Sequence, residues 1–179
     1  MNNGENSESI HVQLARKTVE LFAREGAYYT PDFPLPEDMA ERKAGVFVSI
    51  HKKNGDLRGC IGTIAPVQKN IVYEIIHNAI SASNEDSRFP PVNAGELSEL
   101  AYSVDVLEAP EPVTSEQELD PQKYGVIVSL DFRRGLLLPA LEGVTSASEQ
   151  ISIAMRKAGI PLSERPHIKL KRFTVTRYH

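Results

Sequence analysis

The stretch Leu57-Arg58-Gly59-Cys60-Ile61-Gly62-Thr63 decides the fold of the first half of the chain, read with Gly45-Val46-Phe47-Val48-Ser49-Ile50-His51 before it. The two runs are separated by a segment containing Asn54-Gly55, a pair that tolerates the positive φ angles of a tight hairpin turn. Taking Asn54-Gly55 as a two-residue loop places Lys53 opposite Asp56, His51 opposite Arg58, Ser49 opposite Cys60 and Phe47 opposite Gly62. Directly opposed residues share a face and successive residues alternate. One face then carries Val46, Val48, Ile50, Leu57 and Ile61, a core face. The other carries Ser49, His51, Arg58 and Cys60. A three-residue loop would move Val48 and Ile50 to the face of Arg58 and Cys60, so the two-residue loop is the expected one. Gly59 and Gly62 flank the thiol, and glycine within a strand marks a bulge or a close approach. Together they suggest room kept clear around the sulfur.

The chain has 179 residues, 41% hydrophobic and 25% charged, with a net charge of −4. That length suits one well-buried domain, residues 1–179, with at most two lobes. A single cysteine leaves no internal disulfide and fits a reducing compartment. The segment Met1–Ile10 has no basic flank and no apolar run, and nothing approaches the ~20 apolar residues of a membrane helix. The expectation is a soluble cytoplasmic protein with no membrane partner. The acidic balance argues against a general nucleic-acid binder. The exception is the segment from Arg165 to the end, with Lys169, Lys171, Arg172 and Arg177 and no acid, expected to be a solvated basic edge strand.

Along the chain, Ser9 to Glu25 has a helical apolar stripe, a capping serine and Gly26 as its stop. Ala27 to Ala40, with Pro31, Pro34 and Pro36, reads as an extended connector. Pro66 to Ser83 is the second helix, on which His77 reads as a surface or core-edge residue. The loop Asn84 to Pro91 fixes Asp86 and Arg88 ahead of two prolines, either as a binding element or as an ion pair closing a turn. Glu99 to Ala109 is a strand. Thr114 and Gln117 have capping-box spacing for a short helix. Val126 to Leu130 and Leu136 to Leu141 form a second hairpin, apolar enough for burial on both faces. Ser146 with Glu149 caps a last helix ended by Gly159, and Ile168 to Tyr178 is a final strand with a bulge near Lys171-Arg172. The hairpins exclude an all-parallel sheet. The expected fold is α+β, with mostly antiparallel sheets and flanking helices. The two hairpin-then-helix units suggest a loose internal duplication.

LRGCIGT (57–63), DSRFPP (86–91), GLLLP (135–139) and KAGI (157–160), in this order, resemble the AMME-syndrome candidate-gene domain family, in its prokaryotic form the AmmeMemoRadiSam system protein A group. The resemblance spans nearly the whole chain, and LRGCIGT and DSRFPP are its specific parts. It implies two unequal subdomains around a cleft beside the LRGCIGT segment. It also implies genomic association with a Memo-like protein and a radical S-adenosylmethionine protein, which are thereby expected partners, and no settled activity.

Two functions stay open. In the first, Cys60 is a nucleophile, His51 its base, Arg58 an anion contact and Ser49 a hydrogen-bonding group, with Asp86 or Arg88 closing the site. In the second, the chain is a module that binds a small molecule or a partner protein. Arg58 then supplies the anion contact, Gly59 and Gly62 admit partner backbone, and Cys60 is a small packing residue. Five scattered histidines and one thiol give no metal-ligand spacing, and the glycines form neither a dinucleotide fingerprint nor a phosphate loop. The identity of any cofactor is left open.

Overall fold

The computed structural model describes residues 8–179; part of the N-terminal segment in which no targeting pattern was seen, residues 1–7, lies outside the described residues. Helix α1 (Ile10–Glu25) starts where the Ser9 hydroxyl accepts from the Val12 N–H and stops at Gly26, whose φ of 66° is left-handed. A short helix α2 (Glu37–Glu41) interrupts the proline-rich connector. Strands β1 (Val46–Lys52) and β2 (Leu57–Gly62) follow, then helix α3 (Ile71–Asn84), a 3₁₀ turn at Ala94–Glu99, and strand β3 (Leu100–Leu107). The rest comprises β4 (Glu111–Val113), β5 (Gly125–Leu130), β6 (Arg133–Leu137), α4 (Ala147–Lys157), β7 (Lys169–Phe173) and β8 (Val175–Tyr178). The fold is α+β, with two four-stranded antiparallel sheets ordered β2-β1-β3-β8 and β4-β7-β5-β6.

The chain divides into two compact units. One is built on the residues up to Val106 together with Arg177–His179, the other on Leu107–Thr176. In the first, Val46, Val48 and Ile50 of β1 are fully buried among Leu14 and Val19 of α1, Val72 and Ile75 of α3, and Val104 of β3. Each such side chain contributes roughly 1.5–3 kcal/mol by leaving water. In the second, Val126 and Val128 of β5 pack on Ile151, Ala154 and Met155 of α4. Ile127 and Leu136 are buried as well, so at these rungs the second hairpin is buried on both faces, while its tip is exposed.

Several expectations are corrected. The β1–β2 loop has three residues, Lys53 to Gly55: Lys52 and Asp56 are bonded, the Gly55 N–H reaches the Lys52 carbonyl, and Gly55 takes φ 95°. That is a turn closed by a left-handed glycine. Left alone, it would shift the register by one. A bulge restores it: Ile50 pairs with Gly59 and His51 with Leu57, leaving Arg58 as the extra residue. Beyond the bulge, Ser49 pairs with Cys60 and Phe47 with Gly62, as expected. Between bulge and tip, Leu57 joins the face of His51, and Arg58 is not opposite His51.

Helix α3 begins at Asn70, whose side chain accepts from the Tyr73 N–H, and not at Pro66. The short turn after β4 is capped by Ser115 and Glu118, not by Thr114 and Gln117. The second hairpin turns at Asp131-Phe132, with β6 beginning at Arg133. No bulge falls at Lys171-Arg172: β7 pairs regularly with β5, and the chain breaks at Thr174 before β8 enters the other sheet. The basic segment is an edge strand only in part: β8 is an edge of its sheet but β7 is interior, and Lys169 and Lys171 are exposed while Arg165 pairs with Glu116, Arg172 with Glu111 and Arg177 with Asp105.

Candidate functional site

Strand β2 lies at the edge of its sheet, where unpaired backbone groups need partners. At Cys60 the 86–91 loop supplies them. The Asp86 carboxylate accepts from the Cys60 N–H at 2.9 Å, and Arg88 Nη2 donates to the Cys60 carbonyl at 3.4 Å. The same aspartate takes two bonds from the Arg88 guanidinium, at 2.9 and 2.7 Å. Asp86 is 6% exposed, and Arg88 above all, then the two backbone N–H groups, hold its pKa down to about 2. LRGCIGT and DSRFPP therefore meet, as expected of Asp86 and Arg88, and they meet as an edge cap.

Since the Cys60 backbone groups point outward, Ser49–Cys60 is a non-hydrogen-bonded pair, the kind whose side chains approach most closely. The Ser49 hydroxyl donates to Cys60 Sγ at 3.3 Å. Strand β3 extends this face: Ser103 lies opposite Ser49 and Asp105 opposite Phe47. Asp105 is buried and receives two bonds from Arg177, at 2.7 and 3.0 Å. The pKa values of Arg88 and Arg177 are raised mainly by their aspartates, with a smaller contribution from coupling to Cys60. The thiol thus lies within electrostatic reach of two guanidinium groups, each already paired.

His51 is on the same face as Ser49, two residues along β1, which is about 7 Å. Arg58 is elsewhere. It is 6% exposed, its guanidinium forms two bonds to Glu96 at 2.8 and 2.9 Å and one to the Pro91 carbonyl, and it lies 6.0 Å from the Phe89 ring centroid. The anion contact expected of it is made inside the protein, with a carboxylate 38 residues away whose pKa it lowers.

The glycines have packing reasons. A Cβ on Gly59 would stand 2.1 Å from the Ala82 carbonyl oxygen of α3, and one on Gly62 would stand 2.2 Å from the Phe47 ring. The space beside the strand at both positions is filled by the protein itself and is not room around the sulfur. Thr63, which closes the motif, donates to the fully buried Glu74 at 2.6 Å and accepts from Asn78.

A family model described as AMMECR1 matches residues 12–178. The chain belongs to the AMMECR1 family. A Thermotoga maritima protein is 48% identical over 171 residues, covering 96% of this chain and 98% of that one. A Clostridium acetobutylicum protein is 49% identical over 170 residues, 94% of this chain but 35% of that longer protein. The solved structure of an uncharacterised Pyrococcus horikoshii protein superposes with a TM-score of 0.87 at 31% identity, covering 93% of this chain and 88% of that one. The fold and family are thus established, and the chemistry of the AMMECR1 site rests on its residues.

Sequence reasoning missed Arg177, Asp105 and Glu96. Ser103 and Asp105 share a face of β3, and only the pairing of β3 with β1 brings that face to the thiol. No local signal links Arg58 to Glu96. Among the described residues, no helix is long and apolar enough to cross a membrane.

Proposed function

We propose that this AMMECR1-family chain is a binding module whose polar face around Ser49 and Cys60, bounded by Arg88 and Arg177, receives a small molecule or a partner protein. One observation carries the reading: the two guanidinium groups coupled to the thiol are each held by two bonds to a buried aspartate, and Arg58 is held by Glu96. A nearby cation lowers a thiol's pKa, and a carboxylate bonded to that cation offsets part of the effect. Here Arg88 and Arg177 each carry such a carboxylate. A Memo-like protein and a radical S-adenosylmethionine protein, the partners the family resemblance implies, belong to this proposal. The Clostridium relative, in which the matching part is 35% of a longer protein, supports a module that works beside another polypeptide segment.

A second reading keeps Cys60 as a nucleophile, with Arg88 and Arg177 in the place first given to Arg58. It is favoured by the electrostatic coupling of both to the sulfur and by the Ser49 hydroxyl donated to it. Iodoacetamide labelling of the folded protein against pH, paired with native mass spectrometry of the purified protein, separates the two. The binding reading expects slow labelling near neutrality and a retained ligand or partner that Ser49→Ala or Arg88→Ala loosens. Fast labelling at neutral pH, slowed by Arg88→Ala or Arg177→Ala, would replace it with the enzyme reading.

A further inference from the structure

The second unit has an exposed corner that the thiol face does not involve. The β5–β6 hairpin turns at Asp131-Phe132, Asp131 takes a positive φ of 52°, and Phe132 projects with 93% of its surface exposed. The next residue, Arg133, reaches back to the Gly159 carbonyl at 3.3 Å and lies 3.9 Å from Asp131. It thereby joins the turn to the segment after α4, where Pro161 is exposed and Leu162 is 62% exposed. Behind the tip runs a rung of cations. Ser129 pairs with Arg134 on one side and with Lys169 on the other, so all three share a face, and both cations are exposed. Arg156 in the last turn of α4 is exposed as well.

An aromatic this exposed at a hairpin tip is left almost wholly to solvent by the rest of the protein. Its relation to the charges is specific: Phe132 leads the Arg134 rung by two residues, about 7 Å along the strand. That offset matches an anionic bilayer surface, where apolar side chains settle some 5–10 Å into the headgroup boundary while cations stay at the phosphates. A single-stranded nucleic acid would call for a groove tracking its backbone, which a projecting tip does not offer. The chain's overall charge of −4 does not decide the matter, because charges beyond the ~8 Å Debye length at physiological salt are screened. Next to the tip, Arg134 and Lys169 are exposed cations on one face, and Asp131 has Arg133 3.9 Å away.

We propose that the Phe132 tip, with the Arg134–Lys169 rung behind it, docks reversibly on an anionic phospholipid surface. The sequence holds no tryptophan, so Phe132→Trp places a single reporter at the tip. The full chain is titrated with phosphatidylcholine vesicles and with vesicles containing about 30% phosphatidylserine. The expected result is a blue shift of the tryptophan emission and co-sedimentation only with the anionic vesicles, reversed at about 0.5 M salt. In the protein without the reporter, Phe132→Ser is expected to weaken partitioning by about tenfold or more, and Arg134→Glu with Lys169→Glu to abolish it. Circular dichroism checks that these surface variants are folded. No shift and no co-sedimentation, equal binding to both vesicle types, or binding unchanged by Phe132→Ser or by Arg134→Glu with Lys169→Glu would each overturn the proposal, and a response to an acidic protein but not to vesicles would do the same.

Discussion

Gly59→Ala adds a single methyl group and tests whether LRGCIGT is shaped by packing. The added Cβ would lie 2.1 Å from the Ala82 carbonyl oxygen and 3.2 Å from its carbon. Both are backbone atoms, so relief requires β2 and α3 to separate by about 1 Å, the shortfall from an ordinary carbon–oxygen contact. Neither element is easily moved. Helix α3 is tied through Glu74 to Thr63, Val67 and Gln68, and through Asn78 to the Val46 carbonyl. Strand β2 is tied through Cys60 to Asp86. Overpacking in a core costs typically 1–3 kcal/mol, and backbone on both sides puts this case at the upper end, about 3 kcal/mol. For a protein of this size that is a fall in Tm of roughly 6–12 °C, readable by calorimetry or urea denaturation. Gly62→Ala is the comparison: its Cβ would meet the Phe47 ring, a side chain able to rotate, so about 1 kcal/mol is expected. A Gly59→Ala protein with unchanged Tm would refute the packing account and return Gly59 to the role of clearing space for a ligand.

Acid stability should fall in two separate steps. His11, stacked on Tyr178 at 3.6 Å, has its pKa lowered to about 4, mainly by burial, with Asp38 pulling the other way. The unfolded chain therefore binds the extra proton first, and stability is full above about pH 6.5 and declines toward pH 4 by about 2 kcal/mol after discounting for solvent near the ring; His11→Phe should flatten that decline in pH-dependent urea melts. Asp86, with its pKa down to about 2, contributes stability present above about pH 4 and lost as pH falls toward 2, also about 2 kcal/mol. Asp86→Asn should remove this second step and lower stability at pH 7, with unchanged acid unfolding counting against the edge cap. Glu96→Gln should cost about 2–3 kcal/mol, because it leaves the buried Arg58 guanidinium half-paired, whereas Arg58→Met with Glu96→Leu should recover most of that loss in the same denaturation assay.

The sequence was most readable where the determinant is local. The Ser9 cap, the Gly26 stop and the Ser146 cap all act within a turn of helix, and the apolar periods of α1, α3 and β1 give their buried faces directly. The hairpin tip was misread because two one-residue irregularities cancel. A three-residue loop and a bulge at Arg58 yield the same Ser49–Cys60 pairing as a regular two-residue turn. What enforces the cancellation is the core demand of Val48, Ile50 and Ile61, so the far end of the ladder could be read and the near end could not. The start of α3 was misplaced because residues 66–69 are shaped by Glu74 accepting the Val67 and Gln68 N–H groups. Strand β4 went unseen because Pro110 and Pro112 argue against a strand. At a sheet edge, though, a proline need donate no ladder bond, and β4 is an edge. Arg177 and Asp105 could not be joined to Cys60 because 72 residues separate them from each other and only the sheet order brings them together.

The two units also supply an internal control for the thiol. In the second, Gly135 pairs with Val128, and its Cβ would stand 2.0 Å from the Ala154 carbonyl of α4, the counterpart of Gly59 paired with Ile50 under Ala82. One rung on, Ile127 pairs with Leu136 where the first unit pairs Ser49 with Cys60, and one further Val126 pairs with Leu137 where it has Val48 with Ile61. A hairpin pressed against a helix through a close-approach glycine is therefore built with an apolar pair at that rung as readily as with a serine and a cysteine. The architecture itself does not call for a hydroxyl donated to a sulfur. Ser49→Val with Cys60→Val should accordingly keep the fold, with a loss of stability below about 1.5 kcal/mol for so small a change in volume, while any ligand or partner held at that face is released. A double variant that unfolds would mean that the Ser49–Cys60 pair is part of the scaffold after all. One that folds and still holds its ligand would move the site off this face.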